Sequence, residues 1–304
     1  MKSDLKTIEG LKVFCKGIRN FKLQDVFNAK IKAINEFFLT EKLDTAILGL
    51  SGGIDSALVY YLLLHAATEK NSPIKEVGGL FLPINAKGIT GQSEAQRHYQ
   101  DLILNMPPVY KGKAYFKIVD LSKVAYEYYK TLQPDTEWVC GQIASIIRTP
   151  ALYGAAADAQ AYGRKSIVVG TTNRDEGAYI GFFGKASDGM VDLQPIADLH
   201  KSEVYEMAKL LSVPDSIIKR APEGDVWDNK TDEEMFGAPY WFLELYETLI
   251  DNNLTHLLSK VKDCPDVLKW ALNIETAHDK NAHKYKVGSP ARYIDVIQRT
   301  ISKK

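Results

Sequence analysis

Three consecutive segments decide the fold: TAILGL (Thr45–Leu50), SGGIDS (Ser51–Ser56) and ALVYYLLLHAA (Ala57–Ala67). The first is a short apolar run suited to a buried strand, and the last is long, apolar and rich in helix formers. Between them two adjacent glycines let the backbone turn tightly and approach an anion without a Cβ in the way. Ser51 and Ser56 add hydroxyl donors, and the free N–H groups that open the next helix favour negative charge. Asp55 would repel a bare phosphate, but it becomes useful when a divalent cation lies between them. A bland alternative exists, in which a Gly-Gly turn simply precedes a helix capped by Ser or Asp. The chain has no GK[ST] tripeptide and no G-x-G-x-x-G after a strand, so neither a Walker A loop nor a dinucleotide fingerprint is supported.

Outward from this unit the same alternation continues. VGGLFL (Val77–Leu82) and YFKIV (Tyr115–Val119) read as buried strands, and SIVVG (Ser166–Gly170) as a fourth. Leu23 to Leu39 carries Val26, Phe27, Ile31, Ile34, Phe37 and Phe38 at helical spacing. The Ala-rich stretch Trp138–Tyr162 predicts helix, kinked or divided at Pro150. KSEVYEMAKLL (Lys201–Leu211) predicts another helix, stopped near Pro214. Strands alternating with helices predict an α/β fold with a mainly parallel sheet covered by helices on both faces. Beyond Arg220 the acidic, turn-rich APEGDVWDNKTDEEMFGAP reads as a surface loop, followed by helices at Tyr240–Leu258 and Pro265–Ile274 and a basic, irregular HKYKVGSPAR. We expect one domain over 1–304, with a helical N-terminal segment (1–40) and a C-terminal extension (220–304) of loop, helices and tail.

Composition bounds the function. The 304 residues are 45% hydrophobic and carry 38 basic against 38 acidic side chains. That balance removes the long-range attraction of a dedicated nucleic-acid binder. Cys15, Cys140 and Cys264 lie more than a hundred residues apart, too far for a zinc or redox motif, and predict a reduced, cytoplasmic setting. MKSDLKTIEGLKVFC lacks the apolar stretch of a signal peptide, and no apolar run nears the length of a membrane span, so no membrane association is expected.

SGGIDS resembles the phosphate loop of PP-loop ATP pyrophosphatases, whose fold is of the adenine nucleotide alpha hydrolase-like type. A second cluster, GTTNRDE (Gly170–Glu176) followed by GFFGKASDGMVDLQPIADLHKSEVYEMAKLLSVP (Gly181–Pro214), narrows the resemblance to the ammonia-dependent NAD synthetases, which amidate deamido-NAD through an adenylated carboxylate. Weaker echoes lie at Thr231–Glu234 and at His283-Lys284. The resemblance implies ATP as co-substrate and Mg2+ as cofactor. It assigns ATP contacts to Gly49, Leu50, Ser51, Gly52, Gly53, Ile54, Asp55, Ser56, Thr171 and Lys201, with Asp55 and Lys201 catalytic. It assigns metal ligation to Asp55 and Glu176, and deamido-NAD contacts to Arg148, Lys185, Asp192, His283 and Lys284. It further implies a homodimer and ammonia taken either free or from a separate donor protein.

Taken singly, several of these have plainer readings: Glu176 a solvated loop acid, Lys201 a surface lysine, Asp192 a turn residue before Pro195. The family places an Arg-x-Arg pair where this chain has Arg148-Thr149-Pro150, so Arg148 matches either arginine and the other is missing. Two further departures are Phe81-Leu82-Pro83, where many relatives carry an arginine, and Pro222-Glu223-Gly224-Asp225, where they carry Ser or Thr. An ionised glutamate cannot donate to phosphate. The rival readings are another PP-loop enzyme that amidates or thiolates a different substrate, and a catalytically silent nucleotide binder.

Overall fold

A computed structural model describes residues 4–19, 21–86, 92–220, 231–286, 291–297 and 299. Thr45–Gly49 (β1) is the centre of its sheet, buried on both faces until its last residue. On one side it pairs in parallel with Glu76–Phe81 (β2), in the register Thr45↔Glu76, and β2 pairs in turn with Ala114–Ile118 (β3). On the other side β1 pairs in parallel with Ser166–Val168 (β4), in the register Thr45↔Ser166. A parallel bridge from Val169 to Leu193 brings in Leu193–Gln194 (β5), which pairs with Arg292–Tyr293 (β6).

Helices supply the crossovers that parallel strands require. Ile8–Ile18 (α1) and Leu23–Thr40 (α2) precede β1. Ile54–Thr68 (α3) links β1 to β2, and Gln92–Leu104 (α4) lies between β2 and β3. Ser122–Leu132 (α5) and Glu137–Ala161 (α6) lead to β4, and Lys201–Leu210 (α7) follows β5. The period-2 alternation of the strands separates two cores. Ala46 and Leu48 face α2, α3 and α7, while Ile47, Leu80 and Val168 face Ala125 of α5 and Ile143, Ala144 and Ile147 of α6. The parallel α/β expectation is met.

Several expectations are corrected. Residues 115–119 are not a buried strand: β3 is the edge of the sheet, with Tyr115 and Ile118 exposed. Pro150 does not divide the Ala-rich helix. Buried Ile143, Ala144 and Ile147 before it and Ala156 after it belong to one core, so packing outweighs the hydrogen bond that proline forfeits. The acidic segment is not all loop. Asp232–Phe236 (α9, after the four-residue α8 at Asp215–Ile218) is a helix with a Thr231/Glu234 capping box, while 221–230, with Glu223, lie outside the described residues. Tyr240–Asp251 (α10) stops at Asn252 and Asn253, the latter at φ 59°, before a 3-10 segment, and Val267–Asn281 (α11) outruns its expected end. His283–Lys286 (α12) and β6 give order to part of the basic tail. Leu11 and Cys15 of α1 pack with α10 and α11 in a separate helical core.

Asp44 ties the starts of the central strands together. Its carboxylate accepts from the Lys165 N–H (2.8 Å), the Thr45 hydroxyl (2.9 Å) and the Lys75 ammonium (3.0 Å). Burial works against the charge, but these donors prevail and hold the carboxyl below its ordinary value. A depressed carboxylate stabilises the fold above the ordinary range and loses that contribution as pH falls through the native value. Asp44→Ala is expected to cost about 2 kcal/mol near neutrality. In urea melts, the difference from wild type should hold above about pH 4 and shrink below it.

Candidate active site

The chain order turns back at β1: β2 lies to one side and β4 to the other. Open parallel sheets bind ligands at such a point, beyond the carboxyl ends of the strands. Ser51–Gly53 turns there between β1 and α3. Gly52 sits at φ +82°, and a Cβ on it would come within 2.8 Å of the Ala95 backbone, so both conformation and space select glycine. The Ser56 hydroxyl donates to the Gly53 carbonyl (3.0 Å), and the Gly53 N–H donates to the Ser51 hydroxyl (3.2 Å). Both serines thus brace the loop, with Gly53 as the N-cap of a 15-residue helix whose amino end favours an anion.

Asp55 projects from the first turn of α3 to meet Asn173, after β4, and Lys201, at the start of α7. Lys201 Nζ, at the start of α7, lies 2.7 Å from Asp55 Oδ2 and 3.3 Å from Glu176 Oε1. Asn173 Nδ2 donates to both acids, at 3.0 Å to Asp55 Oδ1 and 2.7 Å to Glu176 Oε1. The Tyr240 hydroxyl donates to Asp232 Oδ2 (2.9 Å) and lies 3.4 Å from Glu176 Oε1. Burial pushes Glu176 up to about 8 against the pull of Lys201, with Asp55 and Asp232 adding repulsion. Burial also raises Asp232. For Lys201 burial disfavours the charge, yet Asp55 and Glu176 outweigh it and hold the ammonium above its usual value. Two carboxyl groups therefore contact one ammonium, and Asp232 acts on it through charge alone. Asp55 and Glu176 share both Asn173 and Lys201, and this oxygen-rich donor set fits a hard divalent cation.

A cleft with about 770 Å³ of open space adjoins the loop. Its wall includes Gly49, Leu50 and Ser51 after β1, Thr171 after β4, and Arg148 and Thr149 of α6. The structure thus brings together most of the expected ATP side and Arg148, whose Nε also approaches the Leu82 carbonyl at 3.4 Å. The remaining expected substrate residues do not line this cleft. Asp192 accepts from the Val168 N–H (2.7 Å) and from Tyr153 (3.5 Å), closing β5 onto β4. Lys284 donates to the carbonyls of Gly181 (2.8 Å) and Phe183 (2.6 Å), anchoring that loop. Lys185 and His283 are exposed, with His283 Nδ1 3.2 Å from the Lys280 carbonyl.

Sequence reasoning passed over Asn173, Asp232 and Tyr240. Asn173 stood inside a quoted motif, but an uncharged amide gives no signal of bridging two acids. Tyr240 and Asp232 reach the site from residues far along the chain. Gln194 was likewise silent, although it accepts from the Thr172 N–H (3.2 Å) and so locks the DLQPI segment to GTTNRDE. Asp175, His200 and Glu247 form a buried cluster nearby that places one ligand atom each within 4.8 Å of the others. Arg174 Nε lies 3.1 Å from Glu247, and Asp175 accepts from the Lys201 N–H (2.6 Å) and lies 2.6 Å from His200 Nδ1, so these groups are engaged with protein partners.

A family model described as NAD synthase matches residues 26–288. The NH(3)-dependent NAD(+) synthetase of Thermoplasma volcanium is 32% identical over 264 residues, covering 86% of this chain and 96% of its own. That of Methanococcoides burtonii is 36% identical over 202 residues, covering 65% and 68%. Among solved structures, NMN synthetase from Francisella tularensis aligns with a TM-score of 0.68 at 23% identity, over 88% of this chain and 98% of that one. The NH3-dependent NAD synthetase of Campylobacter jejuni aligns with a TM-score of 0.63 at 23% identity, over 91% and 100%. At such identities the structural likeness speaks for the fold, and the family model with the Thermoplasma relative carries the assignment. This chain belongs to the NAD synthase family.

Proposed function

We propose that the protein amidates deamido-NAD to NAD with ammonia, converting ATP to AMP and pyrophosphate. The observation that carries this reading is the convergence of Lys201, Asp55 and Glu176 beside the SGGIDS loop and the cleft at the switch of strand order. Open N–H groups of the loop and of the α3 amino end receive the terminal phosphates, and Lys201 exchanges its carboxylate partners for phosphate oxygens. Asp55 and Glu176 would hold magnesium, which would supply further charge neutralisation when bound. The nicotinate carboxylate attacks the α-phosphorus and pyrophosphate departs. Ammonia then attacks the activated carbonyl, and AMP leaves as the amide forms. The protein contributes position and field, with no covalent step through a side chain.

Arg148, in the cleft wall, is suited to pair with the acid substrate. Lys284 acts on the substrate side by anchoring the loop at Gly181 and Phe183, and Asp192 by holding β5 to β4, while Lys185 and His283 act from the exposed surface. Ammonia arrives free or from a separate donor protein. Cys15 is buried, and burial pushes its thiol up to about 12, the reverse of an activated nucleophile for glutamine hydrolysis. Among the described residues no helix is long and apolar enough to cross a membrane, and the cysteines are free. Both facts accord with a cytoplasmic enzyme.

Pure protein given deamido-NAD, ATP, magnesium and ammonium should release NAD and pyrophosphate in equal amounts. Absence of both from folded protein would defeat the reading. Nicotinate mononucleotide offered in parallel tests the choice of acid, because the chain presents one arginine where the family has two. Asp55→Asn should lower kcat by about a hundredfold or more with the fold retained.

The assembly we propose is a homodimer. Ile118 of β3, Tyr126 and Leu132 of α5 and Trp138 of α6 are 52, 61, 60 and 50% exposed, an apolar surface of the kind that marks an interface. Sedimentation should give twice the 34.0 kDa chain mass for wild type and the single chain mass for Trp138→Glu.

A further inference from the structure

Lys201 acts from the first turn of α7, so whatever fixes that turn fixes the ammonium. Asp175 accepts from the Lys201 N–H at 2.6 Å, and Glu203 Oε2 accepts from the His200 N–H at 2.8 Å, closing a capping box. Glu203 is buried and needs its charge matched. Arg299 matches it with two hydrogen bonds, Nη1 to Oε1 at 3.1 Å and Nη2 to Oε2 at 2.6 Å, and also donates to the Asp198 carbonyl. Arg19 adds a contact to Glu203 Oε1 at 3.4 Å and pairs with Glu244, which accepts from the Ser202 hydroxyl at 2.5 Å.

Both arginines lie outside residues 26–288, the span matched by the family model. Arg299 is carried in by a strap that follows the sheet. Arg292 N donates to the Asp192 carbonyl (2.8 Å), Ile294 N to the Gln194 carbonyl (3.2 Å) and Val296 N to Asp198 Oδ2 (2.9 Å). Arg19 follows α1, which packs against α10. The two flanks of the chain therefore meet at one carboxylate, two residues from the lysine.

Building on the function proposed above, we infer that Arg299, assisted by Arg19, is a positioning residue: by clamping Glu203 it holds the first turn of α7 so that the Lys201 ammonium faces the phosphate site. Removing the guanidinium leaves a buried carboxylate unpaired in that turn. The turn then shifts to bring Glu203 to water, and Lys201 moves with it. Deamido-NAD, held by other elements, is unaffected.

Calorimetry with inorganic pyrophosphate and magnesium as the probe tests this apart from turnover. Folded Arg299→Gln should bind pyrophosphate about tenfold or more weakly and lose kcat to a similar degree, since small misplacements of a positioned group have effects of that size. Its affinity for deamido-NAD should be unchanged. Glu203→Gln/Arg299→Gln, which removes the unpaired charge, should return pyrophosphate affinity to within about threefold of wild type. If Arg299→Gln does not fold, Arg299→Lys keeps the charge without the two-pronged contact and should weaken pyrophosphate binding about threefold or more. Wild-type pyrophosphate affinity in the folded single variant, equal loss for both ligands, or a double variant as weak as the single would overturn the inference. Failure of the wild type itself to bind pyrophosphate would instead remove the phosphate-loop reading, and this inference with it.

Discussion

The ammonium of Lys201 between Asp55 and Glu176 is the contact on which the site depends. Each partner comes from a different part of the fold: α3 after β1, the turn after β4, and the start of α7. A lysine 5% exposed keeps its charge only when carboxylates compensate the lost hydration, and here they do so to the point of raising its proton affinity. Breaking one member leaves the others as uncompensated buried charges, which is costly. The three elements are thereby held at one geometry, and that geometry stands beside the Ser51–Gly53 turn, where the phosphates are proposed to bind.

The sheet explains why the meeting occurs where it does. β1 and β4 run in parallel and end side by side, so SGGIDS and GTTNRDE emerge at the same edge. Gln194 then fastens the second segment through the Thr172 N–H, and Asp192 fastens β5 to β4. Hydrogen bonds of this kind add modest net stability each, yet their loss inside the protein is expensive, and that asymmetry gives them control over geometry. Asp192 and Lys284 illustrate the consequence. Both fell on family motifs for substrate contact, and both are engaged with backbone groups that shape the surrounding loops.

What could be read from the residues alone follows from the range of the signal. The strand, turn and helix around Ser51 are encoded locally by apolar runs and adjacent glycines, and each lies close to where the sequence places it. Asp55, Glu176 and Lys201 were legible through motifs and do meet in space. The edge position of β3 was not, since YFKIV looks as apolar as a central strand and its exposure depends on having no neighbour beyond it among the described residues. The two-residue β6 has no periodicity to detect, and its pairing depends on a partner a hundred residues earlier. Asn173 and Tyr240 were missed for a related reason: their roles arise from what they touch, and an amide or a phenol carries no charge pattern to announce it.

Charge placement links the site to the acid substrate. Asp55, Glu176 and Asp232 gather near Lys201, while Arg148 lines the cleft that adjoins the Ser51–Gly53 turn. On the function proposed above, a carboxylate substrate would be repelled by those acids and drawn to the guanidinium, whereas a polyphosphate would approach them only in company with cations. The two reactants would thereby be sorted before any bond changes. With the terminal phosphates on the loop and the base end of the nucleotide in the cleft, as proposed, the α-phosphorus would come to lie between the two regions, within reach of an acid paired with Arg148.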